Sequence, residues 1–195
     1  MLQHLRPAIV MMVLFTLLLG LGYPLAMTGV AGLAFPRQAG GSLVKDAKGE
    51  IVGSALIAQA FAKPEYLRPR ASAAGNGYDA SNSGGSNLGP LDQKLIGRVK
   101  GDAAILAKDY GSATIPADAV TTSASGLDPD ISPLNARLQA ARIAARRGAS
   151  VAQIQVVIDG ATHGALFGFI GQPAVNVLAV NRALDARYPV VQAKG

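Results

Sequence analysis

A long run without formal charge constrains this chain more than any other feature. From Pro7 to Pro36 there is no Asp, Glu, Lys or Arg. Its centre, Ala8–Leu25, is almost wholly apolar, with Ile9, Val10, Met11, Met12, Val13, Leu14 and Phe15 in succession. A helix needs roughly 20 apolar residues to cross a hydrocarbon core about 30 Å thick. In such a segment only a helix satisfies its own backbone groups without water. A core helix of a small domain keeps a polar face, and this run has none. The run therefore predicts a transmembrane anchor over residues 1–35 and one α/β-mixed domain in water over residues 36–195.

A cleaved signal peptide is the competing reading. Arg6 would supply its charged start, and Ala26, Ala31 and Ala34 its cleavage neighbourhood. The uncharged run continues well past Leu21, which suits a full span better than a short apolar core. Pro24 is expected to kink the helix or end its regular part. Gly20, Gly22, Gly29 and Gly32 would let a partner helix approach closely. His4 and Arg6 precede the span, and Arg37, Lys45 and Lys48 follow it, so charge bias alone does not orient it. A short leading segment and a long trailing domain have the form of a signal-anchor. The expectation is a single-pass membrane protein with its domain outside the cytoplasm, which for a bacterial inner membrane is the periplasm.

Beyond the span, Ser42–Asp46 and Glu50–Gly53 flank Ala47-Lys48-Gly49, a pattern that predicts a hairpin. Ser54 is expected to cap a short helix ending near Phe61. Tyr66–Pro90 is rich in Pro, Gly, Ser and Asn and shows no hydrophobic period. A loop this long is functional or disordered, and its composition favours an ordered loop that faces something. A helix is expected from Leu91 or Asp92 to Lys108, with Leu91, Leu95, Val99 and Leu106 on one face, and an extended segment over Ile115–Thr122. Ser132-Pro133 should start a helix that runs to Arg147 and stops at Gly148, with Leu134, Leu138, Ala141 and Ala145 sharing a face. Ser150 and Gln153 form a capping-box pattern for a helix to about Asp159 that buries Val151, Ile154 and Ile158. Val175, Val177 and Leu178 read as core, and Asn181–Arg187 as a closing helix. Strands and helices without βα alternation predict an α+β fold.

The chain carries 18 Lys and Arg against 12 Asp and Glu, a net charge of +6. Its basic residues are scattered, the one dense group being Arg137, Arg142, Arg146 and Arg147, which reads as a solvated helix face. Few aromatics and no recognisable module argue against a nucleic-acid partner. Cysteine is absent, which excludes thiolate metal sites and disulfides. The two histidines, His4 and His163, have no zinc-ligand spacing. No G-x-S-x-G elbow surrounds a serine, and there is no G-x-x-x-x-G-K-[ST] loop. Ser83-Gly84-Gly85-Ser86 has the backbone N–H density to cradle a phosphate, although a Gly-Gly turn explains it as well. Asp128 and Asp130 are too few for a hard cation. As two carboxylates before a helix N-terminus they are favourable without any ligand.

These segments together resemble a known family, the C chain of the Kdp-type potassium-transporting P-type ATPase. The resemblance rests on Gly53–Ile57, Ser83-Gly84-Gly85-Ser86-Asn87-Leu88-Gly89-Pro90 and Ser123–Pro133 with its Ser-Gly-Leu-Asp-Pro core. Gly171-Gln172-Pro173-Ala174-Val175-Asn176-Val177-Leu178 and Asn181–Asp185 extend it over essentially the whole chain. One stretch departs: where the family tends to read aromatic-x-Gly-Arg-Pro-Ser-Ala, this chain has Leu67-Arg68-Pro69-Arg70-Ala71-Ser72-Ala73, so Arg70 fits while its neighbours do not.

The resemblance implies an accessory subunit without catalytic residues. Its partners would be a potassium-channel-like subunit and an ATP-hydrolysing subunit, in addition to the lipid bilayer. It implies a catalytic-chaperone role, raising the ATP affinity of the hydrolysing subunit. No cofactor is assigned to this chain itself, and ATP enters only in complex with that subunit. The expected partner- or ligand-binding residues are Ser83, Gly84, Gly85, Ser86, Asn87, Gly89, Arg70 and Asp128. A second reading, from the residues alone, is a membrane-anchored extracytoplasmic hydrolase using His163 with Asp159 or Asp185.

Overall fold

In the computed structural model, which describes residues 2–111 and 114–190, the uncharged run is helical almost throughout. Helix α1 covers Leu2–Leu17 and α2 covers Tyr23–Ala34, joined by a π-helical turn over Leu18–Gly22. Gln3–Ala34 thus makes 32 helical residues, long and apolar enough to cross a membrane. At 1.5 Å per residue it reaches roughly 48 Å. Pro24 does not end it. Proline cannot donate to the carbonyl four residues back, and its ring crowds that carbonyl. The helix adapts by widening one turn ahead of it, where Tyr23 N–H bonds Leu18 O, five residues back.

The chain forms two compact units, Met1–Ser54 and Ala55–Gly195. The first adds to its long helix a short helix α3 (Pro36–Ala39) and the expected hairpin. Strand β1 (Leu43–Lys45) pairs antiparallel with β2 (Ile51–Ser54), Leu43 opposite Ser54. Asp46 sets the turn: its Oδ1 accepts from Lys48 N and Glu50 N at 2.9 Å each. The helix expected after Ser54 does not form, and residues 55–61 are turn and irregular chain. Ser54 ends strand β2, with its hydroxyl donating to Gly41 O at 2.8 Å.

The second unit is α+β, as its pattern predicted. Its elements are α4 (Gln93–Asp109), α5 (Ala117–Val120), β3 (Asp130–Ile131), α6 (Pro133–Leu138), α7 (Ala140–Arg147), α8 (Val151–Gly160), β4 (Thr162–His163), β5 (Ala174–Asn176) and α9 (Val177–Arg187). The strands form an antiparallel sheet in the order β3-β5-β4. Its core gathers Ile131, Ala136, Ala140, Ile143, Ile154, Val157, Ile158, Val175, Val180 and Leu184, together with Leu67 from the long loop.

Several local signals hold. Helix α4 starts close to its expected position, and the structure adds a cap there, Asp92 accepting from Lys94 N at 2.7 Å. Ser132 caps α6 with Pro133 in the first turn, Gly148 ends α7 in the left-handed region at φ 62°, and Ser150 with Gln153 closes a capping box on α8. Others are corrected. Ile115–Thr122 is not extended throughout: Ala117–Val120 makes one helical turn, closed by Thr121, whose N–H and Oγ1 both bond Ala117 O. The helix after Pro133 divides at Gln139. It buries Asn135, Ala136, Gln139, Ala140, Ile143, Ala144 and Arg147, while Leu134 stays 52% exposed. Periodicity selected the wrong face because this helix turns polar side chains inward, where they find backbone partners. On α8, Ile154 and Ile158 are buried with Val157, whereas Val151 is exposed. Helix α9 starts at Val177, directly from β5, because Asn176 Oδ1 accepts from Ala179 N at 3.0 Å.

Candidate functional site

Residues 66–90 contain neither helix nor strand, yet the segment is tied down along its length. Leu67 N donates to Asn181 Oδ1 at 2.8 Å, and Asn181 Nδ2 donates to Leu67 O at 2.9 Å. Gln139 treats Arg68 alike, accepting from its N–H at 2.9 Å and donating to its carbonyl at 3.2 Å. Two of the four clustered arginines serve the same stretch. Arg147, with a side chain 0% exposed, donates to Glu65 O, Tyr188 O and Asp185 Oδ1 at 2.8–2.9 Å and stacks 5.0 Å from the Tyr66 ring centroid. Arg142 donates to Pro64 O, to Tyr66 O and to Gln139 Oε1. The expectation of a solvated arginine face therefore fails for these two. Buried carbonyls of a segment outside any ladder need donors, and guanidinium forks supply several each.

Further along, the loop docks on Thr121–Asp130. Arg70 is the centre of that contact. Its Nη1 lies 3.1 Å from Asp128 Oδ2, and its Nη2 donates to Thr121 Oγ1 and Thr122 O at 3.2 Å. Asp128 uses its other oxygen to accept from Asp130 N at 3.1 Å. Tyr78 Oη donates to Arg70 O at 2.6 Å, and Tyr78 N donates to Ser72 Oγ at 2.8 Å. Ser72 Oγ in turn donates to Gly126 O at 2.6 Å. Burial raises the Tyr78 phenol above its ordinary pKa, so it remains a neutral donor at neutral pH.

Ser83 Oγ and Gly84 N both reach Ser125 O at 2.9 Å. Glycine is required twice at this contact. A Cβ at Gly126, whose φ is +67°, would fall 2.6 Å from both Ala74 N and Gly84 O. A Cβ at Gly85 would fall 2.9 Å from Ala124 O. The structure thus brings Arg70, Asp128, Ser83, Gly84 and Gly85 onto one contact. Ser86 is half-buried beside it. Asn87, in the left-handed region at φ 51°, and Gly89 are exposed. What faces outward is the second half of the loop.

A cavity of about 360 Å³ opens beside this contact. Phe61, Pro69, Ile105 and Leu106 give it apolar walls, and Arg68, Tyr78, Asp109, Tyr110, Gln139 and Arg142 add polar groups. Helix α4 forms one wall and buries no residue completely. Sequence reasoning missed Arg68, Asn135, Gln139, Arg142, Arg147 and Asn181, because nothing in their spacing separates a buried clamp from a solvated residue.

The hydrolase set is not assembled. His163 Nε2 lies 3.4 Å from Asp130 Oδ2, Asp159 pairs with Arg137, and Asp185 pairs with Arg147. Among the described residues, no three His, Cys, Asp or Glu side chains are grouped to hold a metal.

Comparison with known proteins gives one consistent match. The family model described as KdpC, K+-transporting ATPase, c chain, matches residues 5–186. A potassium-transporting ATPase KdpC subunit of Caulobacter sp. (strain K31) is 68% identical over 195 residues, covering 100% of both chains. The subunit of that name in Caulobacter vibrioides (strain NA1000 / CB15N) is 65% identical over 189 residues, 97% of this chain and 96% of its own. That of Beijerinckia indica subsp. indica is 56% identical over 192 residues, 97% of each.

Proposed function

Because the chain belongs to the KdpC family, the c chain of potassium-transporting ATPases, we propose that it works as a noncatalytic accessory subunit of an ATP-driven, high-affinity potassium uptake pump. The observation that carries this reading is the match of residues 5–186 to the family, joined to 68% identity along the whole chain with a named pump subunit. Gln3–Ala34 holds it in the inner membrane, and residues 36–195 form its accessory domain on the outer side. Its partners are the potassium-channel-like subunit and the ATP-hydrolysing subunit of the same pump.

The loop geometry supports a contact role for the expected residues. Arg70, Asp128, Ser83, Gly84 and Gly85 hold the loop against the domain, and Ser86, Asn87 and Gly89 carry its outward half. A rigid scaffold that presents a loop is the common arrangement of recognition surfaces. The domain acts on ATP use indirectly, by favouring one state of its partners. A subunit shifts such an equilibrium only through its different affinities for the two states. A tenfold rise in apparent ATP affinity needs about 1.4 kcal/mol of coupling, within reach of one packed loop.

The test is affinity purification of the full chain in mild detergent with identification of what co-elutes, followed by ATPase assays at limiting ATP. Recovery of the other pump subunits and a raised apparent ATP affinity are the expected results. A chain that purifies alone overturns the subunit reading. An unchanged ATP dependence overturns the chaperone reading.

A further inference from the structure

The second unit carries one apolar feature that the proposed role has not used. Between β4 and β5 the chain makes a tight turn, Leu166–Ile170, whose large side chains all point into solvent: Leu166 60%, Phe167 78%, Phe169 78% and Ile170 51% exposed. This is not loose chain. Leu166 N bonds Ile170 O at 2.8 Å, Ile170 N bonds Leu166 O at 2.9 Å, and Gly168 N bonds Ala165 O at 2.9 Å. Phe167 is held at φ 53°, a region that bulky side chains rarely adopt. The domain therefore spends both apolar exposure and backbone strain to present two phenylalanines in a fixed shape. Contiguous apolar projections of this kind mark interaction sites, and strain of this kind persists where a defined geometry is used.

We infer that the Leu166–Ile170 turn is a docking knob that inserts into an apolar, uncharged pocket on another subunit of the pump. This rests on the reading of the chain as a pump subunit. Two observations favour a protein pocket over the lipid surface. From Gly164 to Asn181 the sequence has no Lys, Arg, Asp or Glu, whereas elements that settle on anionic bilayers ordinarily carry basic residues beside their apolar face. A strained, hydrogen-bonded turn also matches a receptor of fixed shape, and a fluid acyl layer rewards no such shape. The absence of charge predicts the partner's chemistry as well: a pocket lined by aliphatic and aromatic groups, since a charged lining would be left desolvated and unpaired. Aromatic anchors of this type carry a disproportionate share of binding energy.

The experiment uses the full chain co-expressed with the other pump subunits. Phe167→Ser with Phe169→Ser should lower co-purification in mild detergent at least tenfold. Both side chains are exposed, so the thermal melt of the variant should match wild type. A variant that retains its partners at wild-type yield overturns the inference. A second readout stands if the variant folds poorly. The chain has no cysteine, so Phe169→Cys carries a single environment-sensitive fluorophore. Its emission should shift to the blue in the assembled pump and stay that of exposed dye when the chain alone is reconstituted in vesicles containing anionic lipid. A blue shift in vesicles without partners identifies lipid as the occupant and overturns the proposal, as does the absence of a shift in the pump. Wild-type chain that captures no pump subunit brings down the subunit reading and this inference together. Retention by the serine variant brings down the inference alone.

Discussion

Asn181 closes both backbone hydrogen bonds of Leu67, a residue 114 positions earlier in the chain, at 2.8 and 2.9 Å. Both residues are almost completely buried. One side-chain amide thus does for Leu67 what a neighbouring strand would do, and Gln139 repeats the device on Arg68. This is how a segment without secondary structure can run through the core. Asn181→Leu keeps the volume and orphans a buried N–H and a buried carbonyl. Each such loss costs about 1–3 kcal/mol, so the expected destabilisation is about 3 kcal/mol. Urea unfolding of the full chain in detergent should show a lower midpoint at unchanged slope. Asn181→Asp keeps the acceptor for Leu67 N but faces its carbonyl with an oxygen, and should not restore wild-type stability. A midpoint within error of wild type for the leucine variant would show that the clamp contributes nothing.

The glycines of the loop and of the segment beneath it separate into two groups. Gly126→Ala places a methyl 2.6 Å from Ala74 N and from Gly84 O, at a φ of +67°. Backbone atoms cannot yield cheaply there, so the loop should lift off the Ser123–Gly126 segment. Gly84→Ala and Gly89→Ala meet nothing within 4 Å. Limited proteolysis is the direct measurement. Cleavage within residues 75–90 should accelerate strongly for Gly126→Ala and hardly at all for the other two. Equal rates in all three would mean that the loop is not held by this contact.

The Arg70 side chain occupies the middle of the loop contact. Arg70→Lys keeps the charge near Asp128 but cannot also reach the Thr121 hydroxyl and the Thr122 carbonyl from one planar fork. The expected loss is about 2 kcal/mol of stability, read by the same unfolding titration. Asp128→Asn, which leaves those two partners in place, should cost less than Arg70→Lys. The reverse order would place the weight of the contact on charge.

How much of this was legible in the sequence depended on where the partners lie. The long apolar helix, the hairpin around Asp46, and the caps at Ser132 and Ser150 were all readable. Each is fixed by residues within a few positions of one another, so pattern and physics coincide. The buried face of α6 and α7 was misread because Gln139 and Arg147 look like solvent residues until the Pro64–Arg68 segment is placed against them, and Asn135 until Asp118 and Tyr110 are. No helix follows Ser54, which ends strand β2 instead. Of the eight residues expected to bind a partner or ligand, Arg70, Ser83, Gly84, Gly85 and Asp128 meet in a contact within the chain, while Ser86, Asn87 and Gly89 lie beside or beyond it. What no local signal could give was its partner surface, Ser123–Gly126, which lies some forty residues on (Ser83 to Ser125 is 42).

Alkaline pH should weaken the second unit. Tyr78 and Tyr110 both have raised pKa values, burial being the largest cause in each. A tyrosine whose folded pKa lies above its unfolded value of about 10 contributes stability that is fully present below pH 10 and is lost as pH climbs through the folded value. Tyr78 also loses its donation to Arg70 O when it ionises. Urea midpoints should therefore hold level to about pH 9.5 and fall above it. Tyr78→Phe should lower the midpoint at neutral pH by the worth of one hydrogen bond, about 1 kcal/mol, and flatten the alkaline decline. An unchanged alkaline slope in Tyr78→Phe would remove this residue from the explanation.

Topology closes the set, because it decides which partner surfaces the domain can reach. Gln3–Ala34 is the only helix among the described residues that meets the length and composition of a span. On the proposed reading of one crossing, the domain that follows the span lies on one side of the membrane, outside the cytoplasm. The chain has no cysteine, so one introduced thiol reports without background. Arg146→Cys sits on the exposed face of α7, clear of the buried Arg147. A membrane-impermeant maleimide added to intact spheroplasts should label it at the rate seen after lysis. Labelling only after lysis would place the domain in the cytoplasm. The loop and the Leu166–Ile170 turn would then face the ATP-hydrolysing machinery directly, and the indirect mechanism would give way to direct contact with the nucleotide site.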